Sequence, residues 1–375
     1  MSNLKPLTLP RLFTIVCFAV GSKLFDPLAP YFFKPIFNFL TLIRTTMRLK
    51  RKIFNATLML TVGLSMPAMV SCGNSSKSTE SRDPGQEQAD MKGGGPGVDK
   101  SSDNTLQEMI KTVAPKFAQA EYQDAESGQT IKYNLFVPQN VDTTKTYPLV
   151  LFIADASTVG DDATKPLTQG YGALVWATDD WQSLHPCYVL VPQFQGGTVN
   201  DKYEHNSEVD AAVRLLKKVT ADNYVDSNRL YTTGQSMGGM ISMYYNVAYP
   251  DLFAASIFVD SHWDTSTFDQ LVKHKFIYFI AGDKGKAYPN LKPLEAAAEK
   301  EGVQYTFAEW SARLPEQRQS ELAATMLGKG APVNIFEFET GSVLPEGVKG
   351  MDHMYSFDYA YKIPSVREWL FKQHK

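Results

Sequence analysis

The sequence predicts an α/β fold: one doubly wound, mostly parallel sheet flanked by helices. Continuous apolar runs of strand length recur after about residue 130, as strands covered on both faces require. Segments with apolar residues at helical spacing alternate with them, the signature of strand–helix–strand units. A serine flanked by glycines sits where one such run gives way to a helix.

The elements follow in chain order. Thr105–Phe117 has helical spacing, and Tyr133–Pro138 and Tyr147–Ile153 read as strands. Further apolar runs lie at Cys187–Pro192, Leu230–Thr233, Ala255–Val259, Phe276–Ala281 and Val333–Glu339. Between them, Glu208–Thr220 sets Val209, Ala212, Val213, Leu216 and Val219 on one face of a helix. Helical patterns also cover Gly239–Tyr249, Pro293–Gly302, Pro315–Gly328 and Pro364–Phe371. No internal repeat is apparent, and the folded domain is expected over residues 105–375.

The chain ahead of it reads as addressing. From Met47, the basic run Arg48-Leu49-Lys50-Arg51-Lys52 precedes an apolar stretch to Val70, then Ser71-Cys72-Gly73. That is the layout of an export signal over 47–71. Met69-Val70-Ser71-Cys72 resembles the lipoprotein signals of bacteria, in which the cysteine thiol is acylated, so Cys72 is the expected lipidation site. The competing transmembrane anchor is disfavoured because the run is short, broken by Pro67, and below the roughly 20 residues a span needs. Residues 1–46 read as an extension upstream of the true start or an extra membrane segment. Residues 72–104, with Gly93-Gly94-Gly95-Pro96-Gly97 and many Ser, Asp and Lys, read as a flexible stalk. The expected location is the bacterial cell envelope, the protein exported and held to a membrane by its N-terminal lipid.

Charge excludes one class of partner. The formal net charge is −3, but the first 71 residues hold nine Lys/Arg against Asp26 alone, which leaves 28 basic and 39 acidic residues, or −11, beyond them. So acidic a domain does not suit a nucleic-acid backbone. The three cysteines, Cys17, Cys72 and Cys187, offer no disulfide framework, and Cys187 lies in an apolar run that suits a buried thiol. No His, Cys or acid spacing suggests a metal site, and no cofactor is implied.

The chemistry is concentrated in Leu230-Tyr231-Thr232-Thr233-Gly234-Gln235-Ser236-Met237-Gly238-Gly239-Met240. Gly-x-Ser-x-Gly between a strand and a helix makes a tight elbow that projects the hydroxyl beside a helix N-terminus, where amide N–H groups favour a developing oxyanion. Ser236 is therefore the expected nucleophile; the bland alternative is a serine that caps the helix. The base should be a late histidine. His374 lies in the tail, His185 ahead of a strand, His205 before the nucleophile and His274 among lysines, while His262 falls at a site rim. His353, after the last expected strand, fits both position and order. For the orienting acid Asp283, at the end of the strand Phe276–Ala281, is preferred over Asp260, Asp264 and Asp352. The oxyanion donors are expected to be the N–H groups of Met237 and Ala156, the latter in the loop Ala154-Asp155-Ala156-Ser157. Trp176, Trp181, Trp263 and Trp310 are either a platform for a sugar or phenolic group or rings of the core.

Several stretches together resemble one known group. They are Tyr147-Pro148-Leu149-Val150-Leu151-Phe152-Ile153 with Asp155-Ala156, Gly172–Ala177, Arg229–Met240, Gly282-Asp283 through Pro289, and Asp352-His353-Met354 with Arg367–Phe371. From about Glu121 onward the chain resembles the predicted-peptidase group of α/β-hydrolases, relatives of feruloyl-esterase and polyhydroxybutyrate-depolymerase-like enzymes. The resemblance implies Ser236 as nucleophile, His353 as base and Asp283 as acid. The first loop departs from the group's common His-Asp-Ala-Gly, which leaves the second oxyanion donor open. The expected function is hydrolysis of carboxylic esters, on small molecules or linked to polysaccharide, through an acyl-enzyme on Ser236. The alternatives are a serine peptidase of the same fold and a binding lipoprotein whose chemistry has lapsed.

Overall fold

A computed structural model describes residues 97–282, 285–349 and 352–375. Its strands are β1 (Ala118–Gln123), β2 (Thr130–Phe136), β3 (Tyr147–Ile153), β4 (Tyr188–Gln193), β5 (Val225–Gln235), β6 (Ala255–Val259), β7 (Phe276–Ala281), β8 (Tyr305–Trp310) and β9 (Val333–Phe338). They form one sheet in the order β1-β2-β4-β3-β5-β6-β7-β9-β8. The pairings β1–β2 and β2–β4 are antiparallel and the others are parallel, so the expected mostly parallel sheet is what forms.

The apolar runs are continuous because both faces are covered. Along β3, Leu149, Leu151 and Ile153 enter one core, and Val150 and Phe152 enter the other. That is the period of two expected of a pleated strand. The first core is closed by α2 (Ser207–Asp222), α3 (Met237–Ala248) and α4 (Leu291–Glu301). The second is closed by α5 (Glu316–Leu327), α6 (Asp352–Lys362), α7 (Pro364–Phe371) and the short helices 171–174 and 179–184. Leu151 is fully buried at the centre of the sheet, and truncation to alanine costs about 2–5 kcal/mol.

Capping explains where the helices begin. Asn206 accepts from the N–H of Glu208 to open α2, whose Val209, Ala212, Val213, Leu216 and Val219 are all buried. Asp103 opens α1 (Asn104–Thr112) by accepting from the N–H of Leu106, and Lys100 ion-pairs with Asp358 of α6 at 2.7 Å.

Two strands, the helix that carries His353 and the short helices 165–168, 171–174, 179–184 and 268–271 were not legible in the sequence. β1 is polar and largely exposed, so it has no apolar run. β8 sits at the other edge, with only Thr306 and Trp310 buried. The segment expected to be a loop around His353 is the first turn of α6, opened by Asp352. Residues 1–96, which include Cys72 and the expected signal, lie outside the described residues. Among the described residues no helix is long and apolar enough to cross a membrane.

Candidate active site

The site is built at the carboxyl ends of the parallel strands, where open α/β sheets place their ligands. Ser236 follows β5 and turns the chain into α3 with φ 50° and ψ −119°, a region that a residue with a Cβ rarely adopts. The turn is held by its own N–H, which donates to the carbonyl of Val259 at 3.0 Å. The glycines make it sterically possible. A Cβ on Gly238 would fall 2.0 Å from the carbonyl oxygen of Ile153, and one on Gly234 2.3 Å from the backbone of Gly238. Although Ser236 stands at the cap position, its side chain makes no cap hydrogen bond. The capping alternative is thereby removed.

The hydroxyl is engaged elsewhere. His353 Nε2 lies 2.9 Å from Ser236 Oγ, and His353 Nδ1 is hydrogen-bonded to Asp260 Oδ2. The ring is about a quarter exposed, and its edge packs against Phe357. Asp260 is 4% exposed and fixed from behind, since its Oδ1 accepts the N–H of Ala281 at 2.7 Å while its own N–H donates to Phe279. Like Ser236 it has a positive φ, 42°, so two of the three groups stand on strained backbone at adjacent strand ends. Ser261 ties the two turns: its Oγ lies 2.9 Å from the carbonyl oxygens of both Ser236 and Val259.

The acid on the imidazole is thus Asp260, which the sequence offered only as a rival; the preferred Asp283 lies outside the described residues. Asp264 is occupied with the N–H of Ser266, and Asp352 with the N–H of Gly341. Sheet order supplies the reason. β6 lies directly beside the nucleophile strand β5, and β7, which leads to Asp283, is one strand of about 4.8 Å further out.

The two expected oxyanion donors both stand at helix starts, where an N–H has no acceptor within its own helix. Met237 is the first residue of α3, and Ala156 the first of the 3-10 turn 156–158 that follows β3. The turns are neighbours, since Gly238 abuts Ile153 and Ala154. Two buried side chains also join them: Asp155 of the first loop, and Gln235, which sequence reasoning did not single out. Gln235 Nε2 donates to Asp155 Oδ2 at 3.0 Å, and Asp155 Oδ1 accepts the N–H of Ser157 at 2.7 Å.

The remaining histidines have other partners. His185 contacts Glu368, and His205 lies near Asp210 and Tyr244. His274 is partly buried. His262 sits two residues beyond Asp260, and burial lowers its pKa against the opposing pull of Asp201, 3.2 Å away. Trp176, Trp181, Trp263 and Trp310 are 7% exposed or less, so they are core rings. Among the described residues no cluster of three or more His, Cys, Asp or Glu is arranged to hold a metal ion.

Residues 198–326, which contain Ser236 and Asp260, match the model of the prolyl oligopeptidase family. Sheet order and matched segment together define an α/β-hydrolase fold, with a segment similar to the prolyl oligopeptidase family. Among solved structures, the chain is similar to a thermostable esterase, with 26% identity and a TM-score of 0.59 over 70% of this chain; it spans 64% of that esterase's length. It is also similar to the feruloyl esterase module from Clostridium thermocellum, at 13% identity, TM-score 0.47, 68% of this chain and 87% of that one. A putative dipeptidyl aminopeptidase IV from Bacteroides ovatus aligns at 16% identity, TM-score 0.42, 66% of this chain and 35% of that one. No curated protein sequence matches the chain.

Proposed function

We propose that the protein hydrolyses carboxylic esters through an acyl-enzyme on Ser236, with His353 as general base and Asp260 as the carboxylate that orients it. The single observation behind this reading is the relay Asp260–His353–Ser236, with Nε2 2.9 Å from Oγ and the other ring nitrogen on a buried carboxylate. His353 takes the Oγ proton as Ser236 attacks the carbonyl carbon. The tetrahedral oxyanion is held by the N–H groups of Met237 and Ala156. Collapse breaks the ester C–O bond, and His353 returns its proton to the departing alkoxide. Water, activated by the same imidazole, then adds to the acyl-enzyme and frees the acid and Ser236.

The likeness to a thermostable esterase, at 26% identity, supports an ester rather than an amide. The match of residues 198–326 to the prolyl oligopeptidase family favours a second reading, a serine peptidase of the same fold. Labelling with a fluorophosphonate tests the common mechanism: the chain should label at Ser236, and Ser236→Ala should abolish it. An unlabelled wild type would leave only a binding protein on a hydrolase scaffold. Parallel assays with p-nitrophenyl acetate, feruloyl esters and peptide anilides then separate esterase from peptidase, and turnover of anilides alone would reverse the preference.

We further propose, from residues 47–72 alone, export and membrane anchoring through a lipid on Cys72. Metabolic incorporation of an alkyne fatty acid that Cys72→Ser removes is the expected result; equal incorporation in both would defeat it.

A further inference from the structure

We infer that Gln235 and Asp155 form a positioning pair that holds the second oxyanion donor against the nucleophile. The inference rests on the serine-hydrolase reading above. Gln235 is the last residue of β5, immediately ahead of Ser236, and is 1% exposed. Its Nε2 donates to Asp155 Oδ2 at 3.0 Å and to Gln169 Oε1 at 2.8 Å. Asp155, 2% exposed, uses its other oxygen to cap the 3-10 turn through the N–H of Ser157, and its carbonyl accepts the N–H and hydroxyl of Thr158. One carboxylate oxygen therefore shapes the turn that carries Ala156, and the other fastens that turn to the residue beside the nucleophile.

Electrostatics makes this a matter of position. A carboxylate close to a developing oxyanion opposes it, so Asp155 aids the reaction only by fixing where the amide of Ala156 points. The Gln235 amide is committed to one orientation. Its Oε1 is buried without a hydrogen-bond partner, and turning the amide over would set that oxygen against the Asp155 carboxylate. An unpaired buried acceptor is retained at the site where the turn must be held. The loop Ala154-Asp155-Ala156-Ser157 has no glycine until Gly160, so its backbone gains no freedom of its own to find the donor geometry.

The test is steady-state kinetics of the full chain with p-nitrophenyl acetate, alongside Tm and fluorophosphonate labelling. Gln235→Met and Asp155→Ala should each lower kcat by about 10- to 100-fold, with KM changed by less than about threefold, and the double variant should lose less than the product of the two. Asp155→Asn should keep kcat within about threefold. Its Oδ1 still caps the turn, and the Gln235 amide, turned over, accepts from the new Nδ2 and from the Gln169 amide once that turns over as well. Gln235→Glu sets two carboxylates together and should lower kcat; adding Asp155→Asn, which donates to Glu, should recover it. Folded Gln235→Met with unchanged kcat, or failure of that recovery, overturns the inference. Loss of kcat that only follows loss of folded protein does the same. A wild type that neither labels nor turns over would instead overturn the serine-hydrolase reading itself.

Discussion

Asp260 and His353, 93 residues apart in the chain, meet through one carboxylate oxygen and Nδ1, while the other carboxylate oxygen is held by the backbone N–H of Ala281. The imidazole is thereby fixed in the tautomer that leaves Nε2 free to accept from Ser236. Replacing Asp260 by Asn keeps the size but presents an amide that favours the wrong tautomer. Asp260→Asn should lower kcat by about 10³- to 10⁴-fold, as such a change does in serine proteases. Asp283→Asn should stay within a few fold. Comparison of kcat for the two variants decides between them, and the reverse ranking would give the relay to Asp283.

That pairing also marks what the sequence could convey. The elbow, the late histidine and the buried strands were legible because each is local: a motif, a position in chain order, an apolar run. The acid was not, because choosing between Asp260 and Asp283 requires knowing that β6 rather than β7 borders β5. Strand β1 escaped notice because its residues face water and carry no periodic pattern. The tie from Gln235 to Asp155 spans 80 residues and joins two side chains that have no motif in common.

The close approach of α3 to β3 sets the elbow's tolerance. Gly238→Ala would drive a methyl carbon to 2.0 Å from the carbonyl oxygen of Ile153, and backbone cannot yield as a side chain does. Gly302, with φ 66° at the C-terminus of α4, has open space around its missing Cβ, so alanine there costs only the left-handed strain, about 1–2 kcal/mol. Urea melts should show Gly302→Ala folded and active. Gly238→Ala should be inactive and destabilised by several times as much. Equal effects would mean that the elbow relaxes more freely than its contacts imply.

Cys187 illustrates a thiol kept for packing. It is fully buried beside Trp176 and Gln182, and burial pushes its pKa up to about 12 despite the hydrogen bond from Gln182. Almost no thiolate exists at pH 8, and the sulfur is shielded as well. Brief treatment of the native chain with iodoacetamide at that pH, followed by peptide mapping, should leave Cys187 unmodified, and the same treatment in urea should alkylate it. Rapid native modification would show that the second core opens locally.

Asp124 supplies a pH dependence whose sign is fixed by its partners. Arg214 grips it through two hydrogen bonds of 2.7 and 2.8 Å, and Ser127 and Tyr122 add others, which together hold the carboxyl well below its ordinary 3.8. The pair fastens the turn between β1 and β2 to α2. A depressed carboxylate contributes stability in full above the unfolded-state pKa and loses it as pH falls through the folded-state pKa. At pH 7, Asp124→Asn should lower Tm by several degrees, in line with about 1.5–3 kcal/mol for hydrogen bonds to a charged group and about 2–4 °C per kcal/mol in a domain of this size. From pH 4 downward the wild-type advantage should shrink, because the wild type then takes up the proton whose absence gave the advantage. Melting curves for both proteins across that range check the sign, and a gap that widens in acid would mean that Asp124 is not held as an ion by Arg214.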